Sequence, residues 1–193
     1  MNAIEITSLY KKYNNNVEAL KGIDLKIKQG AFYGLLGPNG AGKTTTIGIL
    51  SGLTKLSSGN VKILGHNAVK NYRQARKLIG LSPQELNFDL FFPIHELLTL
   101  QAGYYGLPIN EAKDRTELML TQFGLLDKAN SKARELSGGM KRRIQIAKAL
   151  IHNPPIVILD EPTAGVDIEL RHMLWSYLKK INKEGKTILL TTH

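Results

Sequence analysis

Cysteine is absent from the 193 residues of this chain. A disulfide, a zinc–thiolate site and a thiol nucleophile are therefore excluded, while a reducing compartment is allowed but not required. Long apolar runs are also missing, since no stretch approaches the roughly 18 residues that a membrane-spanning helix needs. Acidic residues are few, with 16 against 26 lysines and arginines, which gives a net charge of +10. That surplus suits nucleic acid, nucleotide phosphates or an anionic membrane surface.

Apolar patterning predicts strands near both ends of the chain. Residues 3–9 and 23–27 alternate apolar and polar positions, which is typical of half-buried antiparallel strands. Residues 156–159 and 187–191 are continuous apolar runs, as in parallel strands that are buried on both faces. The pattern therefore indicates an α/β nucleotide-binding core.

A mainly helical pattern occupies residues 94 to about 152, between the two groups of strands. With 42% hydrophobic and 22% charged residues, the composition is that of a globular domain. We therefore predict a single domain, in which a core of about 1–86 and 153–193 holds a helical subdomain of about 87–152.

Residues 37–44 follow the pattern G-x-x-x-x-G-K-[ST] of a phosphate-binding loop. Glycines let backbone N–H groups curl around an anion, and the helix that begins near Lys43 adds unpaired donors and a positive dipole. We expect Lys43 to reach the β- and γ-phosphates of a nucleotide, and Thr44 to join the Mg²⁺ shell. The ATP-binding residues predicted here are Gly37, Pro38, Asn39, Gly40, Ala41, Gly42, Lys43, Thr44 and Thr45.

Two adjacent carboxylates, Asp160 and Glu161, follow the apolar run of residues 156–159. Alternation along a strand sends their side chains in different directions. We expect Asp160 to hold Mg²⁺ through water, and Glu161 to face the γ-phosphate and polarise the attacking water. This pattern is weak alone but strong beside a phosphate loop, because parallel α/β folds gather ligands at the carboxyl ends of their strands.

Ser137 and two glycines precede a basic helix and would make a second anion site there. Together with the two preceding motifs, residues 136–140 (LSGGM) resemble the signature LSGGQ of ABC-type ATPases, and the resemblance covers essentially the whole chain. In that family the signature loop of one subunit caps the γ-phosphate held by another. Met140 stands where Gln is usual, and we expect little loss, since the serine and the glycine amides make the phosphate contacts. The residues implied to contact ATP in trans are Ser137, Gly138, Gly139, Met140 and Asp167.

The same resemblance implies roles for three isolated residues. Tyr13 lies where the family places an aromatic that stacks on adenine, with Tyr10 as the competing residue. Gln84 resembles the loop glutamine that approaches Mg²⁺ and joins the core to the helical subdomain. His193 resembles the switch histidine that contacts the γ-phosphate. The implied catalytic residues are Glu161, His193 and Gln84, and the implied Mg²⁺ ligands are Thr44, Gln84 and Asp160.

In fold, the resemblance implies a P-loop NTPase (RecA-like) core with N-terminal antiparallel strands and an inserted helical subdomain. In function, it implies an ATP-hydrolysing subunit, peripheral on the cytoplasmic face of the cell membrane, that uses ATP and Mg²⁺. Its partners would be a second copy, in a head-to-tail dimer, and a separate permease. The segments 37–46, 136–143 and 161–167 look most like the subfamily that drives ABC-2-type exporters.

Three phenylalanines, Phe88, Phe91 and Phe92, follow Gln84 in the region where family members receive a short helix of the membrane subunit. The alternative is that they simply pack the helical subdomain. Family members also continue past the histidine that His193 resembles, so we expect the chain to be a truncated form of a longer protein.

Two other functions remain to be weighed. The first is a non-transport ABC ATPase that acts on the ribosome or on nucleic acid, for which the +10 charge is the only support. We expect no specific nucleic-acid binding, and we interpret the basic helix that carries Arg142 as a solvated face. The second is a GTPase switch, which fails because the guanine motif N-K-x-D does not occur.

Overall fold

The chain folds into two sheets flanked by helices, and its computed structural model describes residues 1–164 and 166–192. The strands of this described part are β1 (Asn2–Lys12), β2 (Glu18–Lys28), β3 (Phe32–Leu36), β4 (Ser58–Ile63), β5 (His66–Asn67), β6 (Ile79–Ser82), β7 (Ile156–Leu159) and β8 (Thr187–Thr192). Its α-helices are α1 (Lys43–Leu50), α2 (Tyr72–Lys77), α3 (Ile94–Tyr104), α4 (Ile109–Gln122), α5 (Gly138–Leu150) and α6 (Ile168–Lys183).

The first sheet is antiparallel, with the strand order β2-β1-β4-β5. The antiparallel strand predicted for residues 3–9 is confirmed, and Ile4 and Ile6 are buried on one face of β1. A bulge then shifts the register between Ile6 and Leu9, with Ser8 at a φ of 44°. Because one extra residue reverses the alternation, Leu9 rather than Ser8 faces the core.

The second sheet is parallel, with the order β3-β8-β7-β6. All four residues of β7 are buried, as are five of the six in β8, which confirms the prediction of strands covered on both faces. The short elements α2 and β6 were not predicted. With six and four residues they are too short to show a period.

Alternation along β7 divides the core into two hydrophobic clusters. Ile156 and Ile158 point towards the antiparallel sheet and α1, where they join residues such as Ile47. Val157 and Leu159 point to the other side and join α3, α4, α5 and α6. The predicted helical block therefore shares its apolar core with the parallel sheet. No helix in the described ranges has both the length and the apolar character needed to cross a bilayer.

Close packing of α5 on β6 depends on Gly80. A Cβ at this position would lie 2.0 Å from the carbonyl oxygen of Ala149 and 2.7 Å from Cγ of Pro154. Backbone atoms cannot move aside as a flexible side chain could, so a larger residue must push α5 away from the strand. This contact fixes the end of α5 against the sheet that carries the site described below.

We predict that Gly80→Ala lowers the free energy of unfolding by about 1–3 kcal/mol, the usual cost of overpacking a core. The matched control is Gly103→Ala in α3, where a Cβ would meet nothing within 4 Å. That change should leave stability equal or raise it by up to about 1 kcal/mol through helix propensity. Urea unfolding of both variants measures the difference, and equal stabilities would contradict the packing argument.

Candidate functional site

The loop between β3 and α1 surrounds the ammonium group of Lys43. This side chain is only 7% exposed, and its Nζ donates hydrogen bonds to the carbonyl oxygens of Gly37 and, at 3.0 Å, of Pro38. In the described part of the chain no side chain caps the first amides of α1, and its first turn has no acidic residue. Free amides, a positive helix end and a fixed ammonium together suit the binding of phosphate.

Two glycines give this loop its shape. Gly40 and Gly42 have φ angles of 81° and 86°, in the left-handed region that favours glycine. A Cβ at Gly42 would also lie 2.7 Å from the carbonyl oxygen of Ala19 and 2.6 Å from Cδ2 of Leu20. Gly42, the second glycine of the pattern G-x-x-x-x-G-K-[ST], is therefore required for two reasons. Its φ angle is left-handed, and β2 approaches its Cα too closely to leave room for a Cβ.

The loop opens onto a cleft of about 330 Å³. Its lining includes most of the residues predicted to bind ATP, and also three residues at the start of β2 that sequence reasoning missed because they form no motif. The lining residues are Tyr13, Val17, Glu18, Ala19, Pro38, Asn39, Gly40, Ala41, Gly42, Lys43, Thr44, Thr45, Gln84 and Glu161. A larger cavity of about 680 Å³ lies between α3 and α4, but none of the predicted nucleotide residues lines it.

Tyr13 lines the cleft and is 39% exposed. Its hydroxyl lies 3.4 Å from the Oγ1 of Thr45, and Nζ of Lys11 lies 4.7 Å from the ring centre. Tyr10, the competing residue, does not line the cleft and instead lies over Gly22 on β2. The geometry favours Tyr13 as the aromatic surface for a base.

Gln84 and Glu161 line the cleft where β6 and β7 terminate side by side. Ser82 pairs with Leu159 in parallel register, so the residues that follow each strand meet. The Nε2 of Gln84 donates to Oε2 of Glu161 at 3.0 Å. Glu161 is 8% exposed and has a φ of 47°, a left-handed conformation that is uncommon outside glycine.

The neighbouring carboxylate, Asp160, is held from the other side. The hydroxyl of Thr191 donates to Oδ1 of Asp160, and the same hydroxyl oxygen accepts a hydrogen bond from the backbone N–H of Glu161 at 2.9 Å. Thr191 lies near the end of β8 and was predicted only as part of a strand. Its hydroxyl therefore connects the carboxylate of Asp160 to the main chain of Glu161.

Behind the carboxylates lies Arg142, and here the sequence interpretation was wrong. The helix α5 was interpreted as a solvated basic face, yet Arg142 is only 6% exposed. Burial lowers the pKa of its guanidinium, while the charges of Asp160 and Glu161 act in the opposite direction and raise it. A buried arginine inside a run of basic residues gives no signal that sequence reasoning could use.

The predicted trans contacts lie together but outside this cleft. Ser137 caps α5, with its Oγ accepting from the N–H of Met140 at 3.2 Å. Asp167 caps α6, with its Oδ1 accepting from the N–H of Leu170 at 2.7 Å. A Cβ at Gly139 would lie 3.6 Å from Oδ2 of Asp167, so the two caps are neighbours. His193, the implied switch histidine, lies outside the described residues.

Comparison with known proteins shows the family to which the chain belongs. A family model described as ABC transporter matches residues 20–164. The chain belongs to the ABC transporter family. Among curated relatives in the family, the Nod factor export ATP-binding protein I of Burkholderia thailandensis is 41% identical over 190 residues. That match covers 98% of this chain and 62% of the relative. The protein of the same name from Cupriavidus pinatubonensis is 42% identical, with 98% of this chain and 58% of the relative covered.

Solved structures of the family share the fold. The ATP-binding cassette MJ0796, in a dimeric post-hydrolysis state bound to ADP and Pi, matches with a TM-score of 0.90 and 30% identity over 98% of this chain and 88% of that one. cbiO1 from Clostridium perfringens, part of the ABC transporter complex cbiONQ, matches with a TM-score of 0.85 and 30% identity over 100% of this chain and 78% of that one. The fold prediction is thereby confirmed. The chain spans about three-fifths of the length of the two curated relatives above.

We predict that Tyr13→Ala weakens ATP binding about 3- to 10-fold, the effect expected for the loss of one aromatic stacking contact. The control is Tyr10→Ala, which removes a tyrosine of similar exposure that lies three residues earlier and does not line the cleft. Binding of a fluorescent ATP analogue to each variant measures the affinity. If Tyr10→Ala lowered the affinity for ATP and Tyr13→Ala did not, Tyr10 rather than Tyr13 would be the residue that stacks on the base.

Proposed function

We propose that this chain is the ATP-hydrolysing part of an ABC exporter, working as a head-to-tail dimer with a separate permease. The observation that supports hydrolysis most directly is the single cleft that holds both Lys43 of the phosphate loop and the Gln84–Glu161 hydrogen bond of 3.0 Å. A cation for the phosphates and a carboxylate for the water are thus within one site.

In the proposed reaction, ATP lies with its base on Tyr13 and its phosphates on the loop of residues 37–44. A water attacks the γ-phosphorus in line, the bond to the β–γ bridging oxygen breaks, and a proton of the water passes to Glu161. The amide of Gln84 orients that carboxylate through its hydrogen bond. Positioning and charge neutralisation provide most of the rate enhancement in such phosphoryl transfers.

The oxygen donors present also fit Mg²⁺. A magnesium ion bound with ATP usually keeps several waters and is held by phosphate oxygens together with one or two carboxylates of the protein. Thr44 is exposed at the start of α1, and the buried carboxylate of Asp160 is oriented by Thr191. In the described residues no cluster of three or more His, Cys, Asp or Glu could hold a metal without a nucleotide. The ion would neutralise phosphate charge, with Thr44, Asp160 and Gln84 as its proposed protein ligands.

Completion of the site by a second subunit is supported by the position of Ser137. It is exposed and does not line the cleft of its own chain. The α5 N-terminus behind it has no acidic residue in its first turn, so it suits an anion brought by another molecule. We propose that Ser137, the following glycines and Asp167 contact the ATP of the partner subunit.

Export and the permease are proposed from the relatives and from one surface. The Burkholderia thailandensis relative is named for Nod factor export, and at 41% identity it supports an exporter over an importer. Phe88 packs against the buried core, whereas Phe91 and Phe92 are 67% and 41% exposed. We propose that these two rings receive the permease, which would place the chain peripherally on the cytoplasmic face of the membrane.

We predict that Glu161→Gln keeps ATP binding but slows turnover by at least about a hundredfold, as expected for the loss of a general base. It should also accumulate an ATP-bound dimer, visible by size-exclusion chromatography. The matched control is Glu117→Gln, an exposed glutamate of α4 that lies outside the cleft. Wild-type turnover by Glu161→Gln would show that another group activates the water.

Ser137→Arg should abolish turnover yet leave the ATP affinity of the dilute monomer nearly unchanged, because its phosphate contact is made to the other subunit. Arginine also removes the N-cap, so Ser137→Asp is the second variant. Aspartate keeps a cap acceptor but repels phosphate. Ser176→Arg, at an exposed position of α6, controls for the added charge. A large loss of monomer affinity in either Ser137 variant would contradict the composite site.

A further inference from the structure

The guanidinium of Arg142 lies between the two loops that carry Gln84 and Glu161. Its Nη1 donates to the carbonyl oxygens of Pro83 at 2.9 Å and Gln84 at 3.0 Å. Its Nη2 donates to the carbonyl oxygens of Asp160 at 3.2 Å and Glu161 at 2.8 Å. One buried side chain therefore fixes the main chain on both sides of the hydrogen bond between Gln84 and Glu161.

These bonds matter most at Glu161, whose φ of 47° is a strained conformation for a residue with a Cβ. Such a conformation persists only when its surroundings hold it. Arg142 contacts the carbonyl oxygen of Glu161 itself, and its Nε lies 3.4 Å from that of Pro162, the next residue. On the amino side, the N–H of Glu161 donates to Thr191. The peptide groups on both sides of the strained residue are thus restrained.

A second side chain on the same face of α5 restrains only one of the two loops. Gln145 follows Arg142 by three residues, so the two side chains project from one face of the helix. Nε2 of Gln145 donates to the carbonyl oxygens of Pro83 at 2.6 Å and Glu85 at 2.7 Å. Arg142 therefore connects both loops to α5, whereas Gln145 connects only the loop of Gln84.

The other end of this helix is the Ser137 cap. α5 runs from Gly138 to Leu150, so Arg142 lies little more than one turn from the residue proposed to contact the partner's ATP. Helices move as rigid units over such distances. A contact at Ser137 that shifts α5 would move the loops of Gln84 and Glu161 with it.

We propose that Arg142 is a positioning residue that holds Gln84 and Glu161 in register and connects them to the Ser137 end of α5. The proposal rests on the assignment of Glu161 as the carboxylate that activates water. Arg142 does not line the cleft, and it would act through the main chain of the two loops. Its replacement should therefore change the rate of hydrolysis and not the affinity for ATP.

The test begins with Arg142→Met, which keeps an unbranched apolar side chain in place of the arginine stem and removes its donors. We expect kcat to fall by about 10- to 100-fold, the effect of a displacement of about 1 Å at a reacting group. The Kd of the monomer for ATP should stay within about twofold, since the loop of residues 37–44 and Tyr13 are not contacted. Arg142→Lys, which keeps a charged donor, should recover part of kcat.

The matched control is Arg115→Met. Arg115 also donates to buried main-chain carbonyls, those of Leu150 at 3.0 Å and Ile151 at 3.1 Å, but at the opposite end of α5. The Arg115→Met variant should lower the melting temperature as much as Arg142→Met does while leaving kcat unchanged. An equal loss of kcat in both variants would show a general effect of stability and would overturn the proposal.

A double-mutant cycle with Glu161→Gln separates the positioning role from an independent one. If Arg142 acts through Glu161, adding Arg142→Met to Glu161→Gln should change kcat by less than about twofold. A further loss as large as in the wild-type background would overturn the proposal. If Arg142→Met fails to fold, Gln145→Met replaces it, with a smaller expected loss of kcat because the contacts to Asp160 and Glu161 remain.

The proposed role of Glu161 and the positioning role of Arg142 are contradicted by different results. Wild-type turnover by Glu161→Gln would remove the proposed function of that carboxylate and this inference with it. A slow Glu161→Gln beside an Arg142→Met variant with wild-type kcat would overturn the positioning role alone.

Discussion

Parallel pairing of four strands brings their carboxyl ends to one edge of the sheet, and the phosphate loop and the proposed catalytic and magnesium-binding residues next to it depend on that constraint. β3 leads into the phosphate loop, β6 leads to Gln84, β7 leads to Asp160 and Glu161, and Thr191 lies at the end of β8. Residues up to 77 positions apart therefore meet within hydrogen-bond distance. A shift in register at any of these strands would separate them.

The packing of the sheet explains why that edge is rigid. Successive residues of β7 point into different hydrophobic clusters, so the strand is held from both faces. Gly80 lets α5 approach β6 so closely that the helix and the strand leading to Gln84 are joined. The same helix carries Arg142 and Gln145, and thus the core that stabilises the fold also sets the geometry at the end of β6 and β7.

The features that could be predicted from residue patterns depend only on residues that are close together in the chain. The spacing of glycines and Lys43 describes a single loop, and the apolar run before Asp160 describes a single strand. Neither requires knowledge of distant contacts. The roles of Arg142, Thr191 and the residues at the start of β2 arise only when remote segments meet. Arg142 was interpreted as solvated because its neighbours in sequence are basic, whereas its neighbours in space are carbonyl oxygens. Sequence patterns reveal burial through the periodic spacing of apolar residues, and a single buried arginine produces no such spacing.

Strain at Glu161 connects stability with the proposed chemistry. A left-handed conformation at a residue other than glycine costs on the order of 1 kcal/mol or more. The structure opposes this cost with hydrogen bonds from Arg142 and to Thr191, which are fixed by α5 and β8. A relaxed backbone at this position would turn the carboxylate away from Gln84. Because the restraint comes from two separate elements, the orientation of Glu161 depends on how α5 sits on the sheet. A movement of α5 is therefore the simplest way for an event at the exposed Ser137 loop to reach the buried carboxylate.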